Sequence, residues 1–555
     1  MNDTLQESSH TSESNSERVT RIGRWLGIVL FLIVWFLPTP EGLSPTGQRL
    51  LATTLLMGTY WLTSAMPIYV TSLIPLSLFP ILGILSAKEV AATYISDTVF
   101  LYFGGFVIAL GIERWGLHRR IALRILTSVG SSPQRVVLGF MLATGFLSMW
   151  ISNTATTLLM LPIALSLTSS LREVNGDREQ SHSKFETALL LGIAYSASIG
   201  GMMTLVGTPT NVAFVEIFQR NFPQAPEISM GAWIIAFLPL GLIFFLIVWW
   251  KLCWSIKRTA PVEKHFFRER LAALGPASQG EKWMLAVFGV TAALWMFRSD
   301  LDFGLGFVIP GWKHLAARWL VSGLSLGDPQ DPDRLKHVLG YLNDSTVAMT
   351  MCLLMFLIPV TTGSRESKHK VPLMDWETLD KMPWGILLLF GGGFALAEAF
   401  TSTGLSGWIG QAASELLGSQ PTWVIVAGVC LVLTFLTEFT TNVATVSALL
   451  PVLAALSLSL EIDPRIIMIP ATLSTSCAFM LPIATPPNAI VFDSGRIRTQ
   501  DMAKHGVILN LIGVVLITVM TFTWALPRLG LDVNGSTPDW AVPLTEIDQS
   551  PSEAE

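Results

Sequence analysis

Two apolar segments of this 555-residue chain are interrupted by nearly the same polar residues, 289 positions apart. The matched pairs are Ser148 with Thr437, Ser152 with Thr441, Asn153 with Asn442, Thr156 with Thr445, and Pro162 with Pro451. Inside a membrane, such a break is tolerated only where protein or a cavity surrounds it, because lipid cannot satisfy backbone groups. Two breaks rich in hydroxyl and amide oxygens therefore predict paired half-sites for a hard cation or a polar solute.

The composition places most of the chain in lipid. Charged residues make up 14% of the sequence, against about 25% in a soluble protein, and hydrophobic residues make up 51%. The net charge of -5 gives no support for a nucleic-acid partner. The sequence has no HExxH motif, no nucleophile paired with a base and no phosphate-binding GxxxxGK[ST] loop. We therefore predict a membrane transporter and neither an enzyme, a cofactor protein nor an ATP-driven pump.

Hydropathy and the distribution of Lys and Arg predict the topology. Eleven spans are expected near 24–39, 48–66, 68–86, 97–113, 186–219, 231–251, 282–297, 345–361, 383–400, 465–495 and 503–527. If 134–170 and 420–459 are re-entrant hairpins, every large basic cluster faces the cytoplasm, as the positive-inside rule requires. This topology gives a cytoplasmic N-terminus, an external C-terminus and an external insertion at 298–344, in what we expect to be a bacterial plasma membrane.

Further echoes extend the repeat. Gly104-Gly105 matches Gly392-Gly393 at an offset of 288. Gly207-Thr208-Pro209-Thr210-Asn211 matches Ala484-Thr485-Pro486-Pro487-Asn488 at an offset of 277. Corresponding spans are five apart in the count, so the two five-helix repeats should be inverted relative to each other. Prolines break helical hydrogen bonding, and the freed carbonyls and helix N-termini can bind a cation and an anion. Inverted repeats with broken helices are typical of secondary transporters that bind at the midplane.

These residues resemble the divalent anion:sodium symporter family over roughly residues 20–530. Ser152-Asn153-Thr154 and Thr441-Asn442-Val443 resemble the paired Ser-Asn-Thr motifs of that family, and residues 475–491 resemble its sodium:sulfate symporter signature. The resemblance implies sodium-coupled symport of a C4-dicarboxylate, citrate or sulfate. It also implies an all-α homodimer that works as an elevator, with a scaffold domain and a mobile transport domain.

The resemblance assigns roles residue by residue. It implies one sodium site at Ser148, Ser152, Asn153 and Gly207, and a second at Thr437, Thr440, Asn442 and Ala484. It implies an anion site between the tips of the two re-entrant hairpins, where the polar residues interrupt each apolar segment. The residues of this site are Asn153, Thr154, Thr208, Asn442, Val443, Thr485 and Pro486. Thr441 departs from the motif but keeps the hydroxyl, whereas Val443 removes a donor, which leaves sulfate or a bulkier anion open.

The predicted organisation follows the repeats. It comprises disordered tails at 1–20 and 531–555, scaffold segments at 21–133 and 258–419, and transport segments at 134–257 and 420–530. The amphipathic stretch 114–133 is predicted to be an interfacial arm between the domains. We interpret Glu438 as a polar brace rather than a ligand.

No Lys or Arg lies at either tip, so we hypothesise that Na⁺ supplies the positive charge that a dianion needs. Two alternatives stay open at this stage. One is a sodium-independent anion exchanger of the same fold, and the other is a channel.

Overall fold

The computed structural model describes residues 2–175, 179–254, 256, 265–302, 308–323, 331–364, 367–531 and 537–541. In this part of the chain, seven helices are long and apolar enough to cross a membrane, or eight if the pair Leu405–Leu417 and Thr422–Leu436, bent by 116°, is one span. The chain is therefore a helical integral membrane protein. The count of eleven spans stays a prediction, because several expected spans are divided into shorter helices.

The first quarter of the chain forms a group of helices, named the outer group. They are α1 (Asn2–Phe36), α2 (Pro45–Thr63), α3 (Ile68–Thr71), α4 (Ile74–Ile81), α5 (Ala87–Thr93), α6 (Asp97–Arg114) and α7 (Leu117–Val129). Helix α1 packs along α2. Residues 2–20, for which the sequence predicts a disordered tail, form the first part of α1. Extending an existing helix needs no new nucleation, so an apolar span can carry a polar first part as helix.

Five helices follow that surround the first tip. They are α8 (Pro133–Ser148), α9 (Asn153–Asn175), α10 (Glu179–Met202), α11 (Pro209–Asn221) and α12 (Met230–Cys253). Helix α8 packs closely on α10, because a Cβ on Gly200 would lie 2.3 Å from the carbonyl oxygen of Gly145. Small residues allow such close approach of helices in membranes.

The middle of the chain returns to the outer group and adds two antiparallel strand pairs. Its elements are α13 (His265–Ala273), α14 (Gln279–Met296), β1 (Leu301–Asp302), β2 (Val308–Ile309), α15 (Trp312–Gly323), α16 (Pro332–Leu339), α17 (Asp344–Leu357), β3 (Pro359–Ser364), β4 (Ser367–Pro372), α18 (Trp376–Leu379), α19 (Trp384–Ser402) and α20 (Leu405–Leu417). Both strand pairs are antiparallel. These strands are short, and the described residues are mainly helical, as the all-α prediction expects.

The last group surrounds the second tip. Its elements are α21 (Thr422–Leu436), α22 (Asn442–Ser459), α23 (Arg465–Thr475), α24 (Pro486–Asp493), α25 (Thr499–Met520), a π-helical turn (Thr521–Ala525), α26 (Leu526–Arg528) and a 3₁₀ turn (Asp539–Ala541). The last turn lies in the expected disordered tail 531–555, most of which is outside the described residues. In this turn, Trp540 packs against Phe218 and Phe222 with ring centroids 5.7 Å apart in both cases.

Helix boundaries recur at the sequence offsets. Helices α7 and α20 are both 13 residues long and begin 288 positions apart. Each follows a glycine in the left-handed region, Gly116 at φ 70° and Gly404 at φ 74°, a conformation that costs a side-chain-bearing residue energy. Helices α9 and α22 begin 289 positions apart, and α11 and α24 begin 277 positions apart.

Buried ion pairs fix the outer group. Arg120 of α7 is 6% exposed and its Nε lies 2.6 Å from the Glu281 carboxylate of α14. Arg298, which is fully buried, contacts Asp344 at 2.5 Å and Glu227 at 2.6 Å. Breaking one side of such a pair costs about 3–5 kcal/mol, so these contacts hold α7, α14 and α17 in place. The polar face of the predicted arm is thus partly turned inward.

Candidate functional site

The first tip is a turn between α8 and α9 that gathers oxygen atoms. The Ser148 hydroxyl at the end of α8 lies 2.6 Å from Oδ1 of Asn153 and 2.7 Å from the carbonyl oxygen of Ala197. One hydroxyl proton cannot satisfy both acceptors fully. A buried group of three oxygens around one proton is electron-rich, and it is a suitable environment for a cation.

The second tip repeats this geometry between α21 and α22. The Thr437 hydroxyl lies 2.7 Å from Oδ1 of Asn442 and 3.2 Å from the carbonyl oxygen of Thr475. Ser148 and Thr437 are both fully buried. The duplicated sequence therefore folds into two matching hydroxyl–amide–carbonyl groups.

The second hydroxyl of each motif caps a helix. The Ser152 side chain accepts a hydrogen bond from the backbone N–H of Ala155 at 3.2 Å, and Thr441 accepts one from Ala444 at 3.3 Å. Ser and Thr are preferred at this position because they satisfy an otherwise free N–H group. The exchange of Ser for Thr in the second motif therefore preserves the start of α22.

The broken helix between α10 and α11 completes the first tip. A Cβ on Gly201 would lie 2.6 Å from Asn153 Oδ1, and a Cβ on Gly207 would lie 2.6 Å from the carbonyl oxygen of Gly201. The backbone of this break therefore reaches the tip amide directly. Thr204 bridges the same region, since its hydroxyl donates to the Met149 carbonyl at 2.5 Å and accepts from the Gly207 N–H at 3.0 Å.

Two asparagines hold the broken helices in the same way, and they were not among the predicted site residues. Asn211 Nδ2 donates to the carbonyl of Thr204 at 2.8 Å. Asn488, 277 positions later, donates to the carbonyls of Ala478 and Leu481 at 2.9 and 3.0 Å. In both, Oδ1 is buried without a hydrogen-bond partner among the described residues. The echo at offset 277 contains both asparagines, so the sequence carried the signal.

Glu438 supports the break in the second half. Its carboxylate accepts hydrogen bonds from the backbone N–H groups of Met480 and Leu481 at 2.9 and 3.0 Å, and from Nδ2 of Asn510 at 2.6 Å. These contacts fit the bracing role inferred from the sequence. The segment they hold leads into the predicted site residues Ala484 and Thr485.

The predicted anion-site residues line the two tips and the adjoining helix starts. Thr208 and Thr485 precede α11 and α24 and are 3% and 5% exposed. Thr154 is half-buried on α9, Val443 is buried on α22, and Pro486 is exposed at the start of α24. Helix N-termini of this kind carry partial positive charge. At the second tip, the hydroxyls of Thr440 and Thr445 form a hydrogen bond.

The two halves interlock. Helix α9 of the first tip packs against α24, and α22 of the second tip packs against α11. The Thr210 hydroxyl on α11 lies 3.4 Å from the Ser476 hydroxyl at the end of α23. The Tyr195 hydroxyl on α10 donates to the Phe479 carbonyl at 2.9 Å. Each broken helix is therefore in contact with the opposite half.

The tips differ in how they are covered. Trp150 packs edge-on against Phe288 of α14 with ring centroids 5.2 Å apart, and Val206 lies against α6. Their counterparts at offsets 289 and 277, Phe439 and Ile483, are 64% and 78% exposed. Similar side chains thus pack against the outer helices at the first tip and are exposed at the second tip.

A family model and curated relatives that match this chain are all described as sodium-dependent transporters or symporters. The family model described as "Sodium:sulfate symporter transmembrane region" matches residues 19–530. A protein of Staphylococcus saprophyticus named sodium-dependent dicarboxylate transporter SdcS is 38% identical over 537 residues, which is 96% of each chain. The protein of that name in Staphylococcus aureus is 36% identical over 524 residues, or 93% of each chain.

A solved structure is similar in fold. Neisseria gonorrhoeae MtrF, described with a class of antimetabolite efflux pumps, superposes with a TM-score of 0.51 over 93% of this chain and 97% of that one. The sequences are 12% identical, so the likeness concerns the fold alone.

Proposed function

Because the chain belongs to the sodium:sulfate symporter family, we propose that it is a secondary active transporter that carries a divalent anion together with Na⁺. The names of its relatives favour a C4-dicarboxylate such as succinate, malate or fumarate. Citrate and sulfate are the other members of the substrate class. The observation that carries the proposal is the duplicated hydroxyl–amide–carbonyl group at the two tips.

We assign one Na⁺ to each tip. The first would be held by Ser148, Ser152, Asn153 and the Gly207 backbone, and the second by Thr437, the Thr440 carbonyl, Asn442 and the Ala484 backbone. All of these ligands are neutral oxygens. A hard cation accepts such ligands, and its charge then stays available to the anion.

The anion would lie between the tips. Hydroxyls of Thr154, Thr208 and Thr485 and the amides of Asn153 and Asn442 can donate hydrogen bonds to it, while Val443 and Pro486 supply apolar contact. The N-termini of α11 and α24 add positive potential. A buried Lys or Arg would cost several kcal/mol unless it were paired, so Na⁺ is the less costly source of charge. Ion binding and anion binding are then mutually dependent.

This dependence has an electrical consequence. Two Na⁺ only neutralise a dianion, so net positive charge moves inward only if more than two ions accompany it. We expect at least one Na⁺ in addition to the two assigned. Uptake should then increase with an inside-negative potential.

We further propose alternating access by an elevator movement in a homodimer, with inverted repeats. The transport domain would comprise 134–257 and 420–530 and the scaffold 21–133 and 258–419. The covered Trp150 and Val206, set against the exposed Phe439 and Ile483, support a state that is open on one side. The N-terminus would be cytoplasmic and the C-terminus external. This asymmetry disfavours a channel, because an open pore does not require one tip to be covered by the outer helices while the other is exposed.

The substrate class is tested by competition. Purified protein in proteoliposomes with an inward Na⁺ gradient would take up radiolabelled succinate in the presence of equal excesses of unlabelled succinate, citrate or sulfate. We expect the dicarboxylate to inhibit most strongly. If only sulfate inhibits, or if labelled succinate is not taken up while sulfate is, the assigned substrate is wrong.

A further inference from the structure

A basic cavity of about 570 Å³ lies where α10 and α25 begin and α12 ends. None of the tip residues lines it. Its charged and polar lining consists of Ser183, Lys184, Thr187, Lys251, Arg498, Asp501, Lys504 and His505. The cavity is therefore a separate site from the one assigned to transport.

Among the described residues that line the cavity, positive side chains outnumber negative ones. The carboxylate of Asp501 is held by Arg498, with oxygen–nitrogen distances of 2.8 and 3.1 Å. In the described part of the chain, no acidic side chain forms an ion pair with Lys184, Lys251 or Lys504. Three ammonium groups around one cavity repel each other, and an anion between them removes that repulsion.

Two exposed tryptophans beside the cavity indicate where it lies relative to the bilayer. Trp250 and Trp254 stand at the end of the apolar helix α12, with ring centroids 4.6 Å apart, and are 56% and 70% exposed. Exposed tryptophans at the end of a spanning helix mark the headgroup region of the bilayer. Basic pockets between spanning helices at this depth suit anionic lipid headgroups.

We propose that this cavity binds the headgroup of an anionic phospholipid. The lysines Lys184, Lys251 and Lys504 surround the phosphate oxygens, and the hydroxyls of Ser183 and Thr187 can donate hydrogen bonds to them. The acyl chains then extend past the exposed tryptophans into the bilayer. A bound headgroup then joins the ends of α10, α12 and α25.

The test measures lipid binding to the delipidated full-length protein by native mass spectrometry. The probes are phosphatidylglycerol, phosphatidylcholine and inorganic phosphate. The variant Lys251→Gln/Lys504→Gln removes two cavity charges, and Lys251→Arg/Lys504→Arg retains them. The matched control, Arg135→Gln/Lys282→Gln, removes two exposed charges at the starts of α8 and α14, outside the cavity.

We expect the wild type to prefer phosphatidylglycerol over phosphatidylcholine. The glutamine variant should bind phosphatidylglycerol roughly 30-fold more weakly, since each cation beside an anionic lipid contributes roughly fivefold. The arginine variant and the control should stay close to wild type. Equal weakening in the control, or no lipid preference in the wild type, overturns the proposal. Inorganic phosphate that binds as tightly as the lipid would show a site for a soluble anion instead.

Discussion

Replacing Thr437 by Val removes one hydroxyl from the second tip and leaves the shape of the side chain almost unchanged. Thr437 is fully buried and its hydroxyl lies 2.7 Å from Asn442 Oδ1. The change removes a hydrogen bond that contributes about 1 kcal/mol and leaves a buried amide oxygen without its donor, at about 1–3 kcal/mol. It also removes one of the proposed ion ligands.

The expected effect is on sodium affinity. Loss of a contact that orients metal ligands lowers affinity about 10–100-fold, or about 1.4–2.7 kcal/mol. We therefore expect the Na⁺ concentration for half-maximal succinate uptake to increase by about 10–100-fold in Thr437→Val. The assay is initial uptake into proteoliposomes over a Na⁺ titration at constant ionic strength.

The helix supplies a matched control. Thr434, one turn earlier on α21, is also fully buried, and its hydroxyl donates to the Ser474 carbonyl at 3.3 Å, whereas Thr437 faces the neighbouring Thr475 carbonyl. Thr434→Val should cost about 1 kcal/mol of stability and leave the Na⁺ dependence unchanged. An unaltered Na⁺ dependence in Thr437→Val, or an equal shift in Thr434→Val, would refute the reasoning.

Three further predictions concern the tips. Asn153→Ala and Asn442→Ala should each abolish uptake while the protein remains monodisperse in size-exclusion chromatography, because each amide is proposed to contact both ion and anion; normal uptake by either variant contradicts the site. Thr154→Val should weaken succinate binding more than Na⁺ binding in paired titrations, and the opposite order would remove Thr154 from the anion site. Glu438→Gln leaves one acceptor oxygen for three donors, so the thermal unfolding midpoint of this variant should fall by several degrees and its Na⁺ affinity should drop. Glu398 is partly exposed, so Glu398→Gln should change neither quantity as much. Matching behaviour of the two variants would argue against the bracing role.

The repeat made much of the site predictable. Matched residues at one offset are expected to occupy matched environments, and the contacts of Ser148 with Asn153 and of Thr437 with Asn442 agree with that. The proline-containing echoes likewise predicted where α11 and α24 begin. Both features depend on local sequence, because caps and helix breaks are made by residues a few positions apart.

Other features depend on contacts that no sequence period reports. Trp540 lies in a polar, acidic tail, and only the fold brings it to Phe218. The echo at offset 277 pairs Asn211 with Asn488, but their roles require the path of the broken backbone, since their partners are carbonyl groups that every residue has. The unequal exposure of Trp150 and Phe439 depends on how the outer helices pack against each tip. Because the two tips have similar sequences, the sequence does not show which of them is covered.

The most direct test of sodium coupling is the initial rate of radiolabelled succinate uptake into proteoliposomes when external Na⁺ is replaced by choline at equal osmolarity. Our account predicts that uptake falls nearly to the level of protein-free liposomes, because the tips contain no other positive charge for the anion. Undiminished uptake in choline would contradict sodium coupling.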